Sequence, residues 1–128
     1  MSRENVEIVR SIFIPWENGD FSSVEWADAD IAFRNAEGRE SRGLNEMSSL
    51  WRDWLAAWED WAALPEEFLE AGHRVLVLTR FRGRGKGSGA PNQDFPGACL
   101  FTLNKGKIVR LVLYTDREEA LEAAGLSE

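Results

Sequence analysis

FPGACLFTL (residues 95–103), NKG (104–106) and KIVRLVLY (107–114) follow one another near the end of the chain. Two strand-like runs joined by three residues that end in glycine are typical of a tight β-hairpin with a bulge. Apolar residues occupy odd and even positions of both runs, so we expect both faces of the predicted sheet to be covered. The only cysteine, Cys99, lies in the first run, and the only tyrosine, Tyr114, in the second.

The rest of the chain divides into a helical first half and a strand-rich second half. Apolar spacing, caps and glycine stops predict helices at 2–19, 21–26 and 44–60, with a brief strand at 31–35 and a polar turn at 37–43. After Pro65 the pattern predicts strands at 66–70, 74–82, 95–103 and 107–115, and a closing helix at 117–124. Helices followed by an antiparallel meander define the α+β class.

Length and composition limit the functions that are open to the chain. A length of 128 residues predicts a single domain spanning 1–128. The net charge of −7 argues against nucleic acid or an anionic membrane as partner. One cysteine excludes an internal disulfide and offers no Cys/His metal cluster, so we expect neither metal nor cofactor. No leader and no long apolar run is evident, so we expect a cytoplasmic protein.

Tryptophan is unusually frequent, with six residues in the chain. The predicted third helix carries a broad apolar stripe: Met47, Leu50, Trp51, Trp54, Leu55 and Trp58. Such a stripe packs against a sheet, and its indoles can also line a ligand pocket. The glycine-rich segment 83–89 fits neither phosphate-loop spacing and predicts a bulged strand end followed by a connection.

Four short motifs carry a family resemblance. They are Trp16-x-x-Gly19-Asp20, Trp26-Ala27-Asp28-x-Asp30-Ile31, Arg42-Gly43 before the long helix, and the closing Asn104-x-Gly-Lys-Ile-x-Arg…Tyr-x-Asp116. With these motifs the chain resembles the NTF2-like superfamily, and its SnoaL-like branch in particular, over essentially its whole length. The resemblance implies a cystatin-like or NTF2-like α+β barrel, in which a cone-shaped, curved, antiparallel or mixed sheet wraps around three N-terminal helices. It also implies an apolar pocket and a homodimer formed through the outer sheet face.

The resemblance also allows the reactions of the superfamily to be tested residue by residue. Alignment with the ketosteroid isomerases places their tyrosine at Ile12, their general-base aspartate at Asn35 and their oxyanion-stabilising acid at Cys99. Alignment with the limonene-type epoxide hydrolases places their charged groups at Thr79, Phe81 and Leu113. None of these residues can do the corresponding chemistry, so the resemblance implies neither activity.

Two interpretations therefore stay open. The first is an isomerase, cyclase or dehydratase acting without metal on a small cyclic or aromatic substrate, with Asp94, Asn35 and Cys99 as candidate catalytic residues. In that case we expect apolar surroundings to raise the pKa of Asp94 at the pocket mouth, beside Asn92 and Gln93. The second is a binder that holds a small apolar ligand without transforming it. Either way, the predicted pocket is lined by Ile12, Phe13, Trp16, Trp51, Trp54, Thr79, Phe81, Phe101 and Tyr114.

Overall fold

The computed structural model describes residues 2–85 and 93–126, and side chains from residue 4 onward. Asn92 and the glycine-rich positions from 86 to 89 lie outside the described residues. The elements, in chain order, are α1 (Ser2–Trp16), β1 (Ala27–Arg34), β2 (Glu40–Arg42), α2 (Leu44–Leu55), β3 (Trp58–Ala71), β4 (Arg74–Gly85), β5 (Gln93–Asn104), β6 (Lys107–Tyr114) and α3 (Arg117–Ala123).

Six strands form one mixed sheet in the order β2-β1-β6-β5-β4-β3. Neighbouring strands are antiparallel except β1 and β6, which run parallel. The predicted α+β class is therefore confirmed. The expected barrel is wrong in one respect, because the sheet is open, with β2 and β3 at its two edges.

The β5–β6 hairpin forms as the opening sequence predicts. Asn104 pairs with Lys107, and the register shifts at Thr102 and Leu103, which is the expected bulge. The loop itself is one residue shorter than predicted. It consists of Lys105 and Gly106, both with positive φ (52° and 81°), which is the backbone of a type I′ turn.

Three predictions about the helices and short strands are wrong. Residues 21–26 are not a helix, because the Asp20 carboxylate accepts hydrogen bonds from the amide and hydroxyl of Ser22 and closes a turn instead. The α2 helix ends at Leu55, and Trp58 begins β3, since aromatic residues suit a strand as well as a helix. Glu40–Arg42 pairs with β1 as a short edge strand instead of forming a turn.

The two faces of the sheet are covered by different helices. On the inner face, residues of α1 and α2 such as Val9, Phe13 and Met47 complete the main core. On the outer face, Ala120 and Ala124 at α3 pack over a smaller cluster. The expectation of three N-terminal helices is therefore wrong, because the third helix follows the sheet and covers its opposite face.

Arg117, the first residue of α3, holds this helix to the sheet. Its guanidinium donates to the carbonyl oxygens of Gly97 (3.0 Å) and Thr79 (3.1 Å), and it also pairs with Glu66. Asp116 caps the helix by accepting from the amides of Glu118 and Glu119. The apolar outer positions of β4 and β5 are thus partly buried within one chain.

Candidate functional site

An aromatic cavity lies between the inner face of the sheet and the helix α2. Most of its wall is apolar, and it is lined by Trp16, Phe21, Phe33, Asn35, Ala36, Leu50, Trp51, Trp54, Trp61, Ala63, Phe81, Phe95 and Leu113. The free volume is about 30 Å³, which is about the share of one water molecule in the liquid. A larger ligand can therefore enter only if side chains of the wall move.

Ring contacts fix two opposite parts of this wall. Phe33 of β1 stacks on Trp51 of α2, with ring centroids 5.1 Å apart and planes 26° apart. On the other side, Trp61 of β3 stacks on Phe81 of β4 at 5.9 Å and 17°. Trp54 meets Trp61 edge to face at 5.1 Å and links the helix to this second pair.

Gly83 makes room for the Trp61 ring. A Cβ atom at residue 83 would lie 2.2 Å from the Cε3 atom of Trp61, closer than real Cβ contacts allow. The ring therefore lies directly against the backbone of β4. Gly83 begins the segment that the sequence predicts as a bulged strand end. In the structure this glycine also has a packing function beside the cavity.

Asn35 is the one polar side chain among the described residues of the wall, and it is only 7% exposed. Its Oδ1 accepts from the backbone amides of Glu37 (3.0 Å) and Arg39 (2.9 Å) in the turn after β1. These two donors also settle the orientation of the amide, so that Nδ2 is the remaining group. No acceptor for Nδ2 is found in the described part of the chain, which leaves it as a hydrogen-bond donor for a ligand.

Thr79 and Cys99 were predicted for the pocket but lie behind its wall. Both side chains are fully buried, and the Thr79 hydroxyl donates to the Val77 carbonyl at 3.0 Å and lies 3.8 Å from the Cys99 sulfur. Burial raises the pKa of the Cys99 thiol to about 12. Cys99 is therefore an apolar core residue and not a nucleophile in this structure.

Asp94 lies on the outer face of the sheet and not at the mouth of the cavity. Its carboxylate accepts from the Arg80 guanidinium at 2.7 Å and lies 3.5 Å from Arg82. The hydrogen bond from Arg80, strengthened by the charges of both arginines, lowers the pKa of Asp94. The expectation of a raised pKa is wrong, because the neighbours of this group are cations and solvent instead of apolar side chains.

The other predicted pocket residues divide into three groups. Trp16, Trp51, Trp54 and Phe81 lie together in the wall, with Asn35. Ile12, Phe13 and Phe101 belong to the main core, away from the cavity. Tyr114 lies on the outer face with the α3 cluster, because it pairs with Ala98 and both side chains point away from the cavity.

Eight wall residues are missing from the sequence-based set: Phe21, Phe33, Ala36, Leu50, Trp61, Ala63, Phe95 and Leu113. Trp61, Ala63, Phe81 and Phe95 all point inward because Ala63 pairs with Phe81 and Phe81 with Phe95. The alternation of residues along the strands could have indicated this inward-facing row. Because the helix was predicted to run to residue 60, the strand that carries Trp61 was not predicted there.

A groove opens beside the cavity, between α2 and the segment 17–26. It has a volume of about 420 Å³ and is lined by Trp16, Gly19, Asp20, Phe21, Ser22, Val24, Trp26, Met47, Ser48, Trp51, Arg52 and Leu55. Two hydrogen bonds from Ser22, first that from its hydroxyl and then that from its amide, lower the pKa of Asp20. The groove therefore combines an aromatic floor with charged and hydroxyl groups at its rim.

Comparisons with known proteins agree with this architecture. The model of the SnoaL-like domain matches residues 9–111, so the chain belongs to the SnoaL-like family. No protein of curated function matches the sequence. Within the described residues, no helix is long and apolar enough to cross a membrane.

Solved structures with the same fold are distant in sequence. A proposed SnoaL-like polyketide cyclase from Jannaschia sp. CCS1 is 20% identical, with a TM-score of 0.77 over 99% of this chain and 94% of that one. A protein of ketosteroid isomerase-like fold from Catenulispora acidiphila, in complex with trimethylamine, is 21% identical, with a TM-score of 0.74 over 94% of each chain. TerC, co-crystallized with polyporic acid, is 16% identical, with a TM-score of 0.73 over 95% of this chain and 98% of that one.

Proposed function

We propose that this protein binds a small, flat, apolar molecule that carries an oxygen acceptor, and that it holds this ligand in the aromatic cavity without transforming it. The observation that carries the proposal is an aromatic cavity whose described wall includes one amide side chain, that of Asn35, with an Nδ2 group that has no acceptor in the described part of the chain. A carbonyl or ether oxygen of a ligand would complete the hydrogen bonding of this amide.

The wall supplies most of the expected binding energy. Fully burying one large apolar side chain is worth about 1.5–3 kcal/mol, and a flat ring system between Phe33, Trp54 and Phe81 would bury a comparable area per ring. A single hydrogen bond adds about 1 kcal/mol. The aromatic residues would therefore set the affinity, and Asn35 would set the orientation of the ligand.

Isomerase, cyclase or dehydratase chemistry is the weaker alternative. Each reaction needs an acid or base in contact with the reacting atoms. Of the candidates, Asp94 lies on the outer face and Cys99 lies behind the wall, while the Asn35 amide neither gives nor takes a proton near neutral pH. The co-crystal of TerC with polyporic acid is consistent with small-molecule binding in this fold. A cytoplasmic location and a homodimer stay predictions.

A fluorescence titration tests the proposal. Acetylnaphthalene, a flat ketone, should accept excitation energy from the tryptophans and give saturable binding, and chromatography should recover it unchanged. Ethylnaphthalene has a similar shape without the oxygen and should bind several-fold more weakly, by the value of one hydrogen bond.

Asn35→Asp keeps the acceptor for the amides of Glu37 and Arg39 but replaces the Nδ2 donor with an oxygen. It should weaken acetylnaphthalene binding at least tenfold, because the ketone oxygen would then face a carboxylate. Asn45→Asp adds the same charge at an exposed position of α2 and should leave binding unchanged. The proposal fails if no saturable binding is seen, if the two naphthalenes bind equally, or if the ketone is converted to a product.

A further inference from the structure

The aromatic cavity and the neighbouring groove share one wall. Trp16, Phe21 and Trp51 line both spaces, so these three side chains separate the cavity of about 30 Å³ from the groove of about 420 Å³. Movement of any one of them would join the two spaces. The question is which of the three the structure holds least firmly.

Trp16 and Trp51 are held by regular structure and several rings. Trp16 is 2% exposed near the end of α1 and contacts five aromatic rings, those of Phe13, Phe21, Trp26, Trp51 and Phe101. Trp51 lies on α2 and stacks on Phe33. Moving either ring would disrupt the main core.

Phe21 is held much less firmly. It is half-buried in the segment between α1 and β1, and among the described aromatic rings it contacts two, those of Trp16 at 5.5 Å and Trp51 at 5.8 Å. The neighbouring hydrogen bonds are local, from Ser22 to Asp20 and from the Trp26 indole to Ser23. Among the hydrogen bonds of the described residues, none involves the Phe21 backbone. Side-chain packing, with two ring contacts, therefore holds Phe21 without a hydrogen bond from its own backbone.

We infer that Phe21 closes a single ligand site that runs from Asn35 through the cavity into the groove. When the Phe21 ring turns away, the cavity opens into the groove, whose own volume of about 420 Å³ already lies in the size range of ordinary small-molecule sites, about 300–1,000 Å³. This inference rests on the proposed function, and it explains how a cavity as small as the one observed can take a ligand of two fused rings.

The α2 helix determines which side chains face each part of this site. Successive residues of a helix are rotated by about 100°, so α2 presents different side chains to the two spaces. Leu50 and Trp54 line the cavity, and Trp51 lines both the cavity and the groove. The groove is also lined by Ser48, Arg52 and Leu55. The outer end of the site therefore has a cationic side chain, whereas the inner end has the Asn35 amide.

Arg52 is the cationic side chain at the outer end. It is exposed, and it makes no ion pair within the described residues. The ionised Asp20 carboxylate lines the same groove, but it accepts two hydrogen bonds from Ser22 and makes no ion pair with Arg52. A guanidinium without a partner favours a carboxylate. The ligand class is thus a flat aromatic carboxylic acid with a carbonyl group at its opposite end.

The closing function of Phe21 can be tested without any ligand. Phe21→Ala should increase the acrylamide quenching constant of the tryptophan fluorescence, because it opens the cavity wall beside Trp16 and Trp51. Phe68→Ala is the matched control: Phe68 is also half-buried and contacts the Phe13 ring, but it lines neither the cavity nor the groove. Equal quenching in wild type and Phe21→Ala, both folded by circular dichroism, overturns the closing role.

Binding kinetics test the same role with ligand present. Acetylnaphthalene should associate on the order of tenfold faster with Phe21→Ala than with wild type, because two ring contacts no longer have to break. Phe68→Ala should not accelerate association. If acetylnaphthalene binds in an Asn35-dependent manner at the same rate in all three proteins, the closing role fails while the proposed function stands.

The outer end is tested with an acetylnaphthoate whose two groups lie at opposite ends of the ring system. It should bind about tenfold more tightly than its methyl ester, and Arg52→Gln should abolish this preference. Arg110→Gln, an exposed arginine on the outer sheet face, is the control and should retain it. Equal binding of acid and ester to wild type, or a preference that survives Arg52→Gln, overturns the ligand class.

Discussion

Replacing Gly83 by alanine tests the packing of the cavity wall most sharply. The new Cβ would lie 2.2 Å and 2.6 Å from two Trp61 ring atoms and 2.9 Å from a Trp58 ring atom. Gly83 has no positive φ, so the backbone conformation itself would accept alanine. At an unhindered site the substitution would stabilise the protein by about 0.4–1 kcal/mol. Any loss of stability therefore measures the displacement of Trp61.

Overpacking of this kind costs about 1–3 kcal/mol. Alanine also restricts the unfolded chain, and this stabilising effect offsets part of the cost of overpacking. We therefore expect Gly83→Ala to lower the free energy of unfolding by about 1–2 kcal/mol. The melting temperature should fall by about 4–8 °C for a domain of this size. Urea denaturation followed by circular dichroism gives the free energy, and calorimetry gives the melting temperature.

A double-mutant cycle with Trp61→Ala assigns the cause. With the indole removed, alanine at residue 83 has far less to displace, and its cost should fall by at least 1 kcal/mol or change sign. A Gly83→Ala variant as stable as wild type would refute the close contact. An equal cost in both backgrounds would show that the loss has another origin.

Three further predictions concern the rest of the molecule. Burial raises the pKa of Cys99 from 9.0 to about 12, so the unfolded chain loses its thiol proton at a lower pH than the folded protein. The free energy of unfolding should therefore fall as pH rises from about 9 to 12. Unfolding measured as a function of pH should show a smaller loss in Cys99→Ala. Asp116→Ala should cost about 1 kcal/mol because it removes the cap of α3, whereas Asp116→Asn should retain most of the stability, as measured by urea unfolding. A homodimer is still expected from the family resemblance, and sedimentation equilibrium should give twice the chain mass; a monomer at all concentrations would contradict it.

The hairpin and the α+β class could be predicted because local signals determine them. The type I′ turn needs positive φ at Lys105 and Gly106, and glycine supplies one of these at no cost. The α3 cap at Asp116 was likewise a local signal. By contrast, Trp58 continued an apolar helical stripe, and pairing of Trp58 with Gly85 and of Asp60 with Arg84 makes this segment a strand. That pairing joins distant parts of the chain and is not visible in the local pattern.

The candidate site was predictable only in part for the same reason. Trp51 and Trp54 lie on a helical stripe whose spacing indicates one face. Asp94 lies within one residue of an inward-facing position, but strand alternation directs it to the outer face, where Arg80 pairs with it. The face on which Asp94 lies thus depends on the pairing register of β4 and β5, which could not be read from the local sequence pattern.

The central claim is that the Asn35 amide meets a ligand inside the aromatic cavity, and side-chain amide NMR measures this directly. On saturation with acetylnaphthalene, one Nδ2 proton of Asn35 should move downfield, and the ligand should show intermolecular Overhauser effects to Trp54 and Phe81. The Nδ2 resonances of the exposed Asn45 should not change. Unchanged Asn35 resonances in a saturated complex, with contacts only to surface residues, would contradict the account.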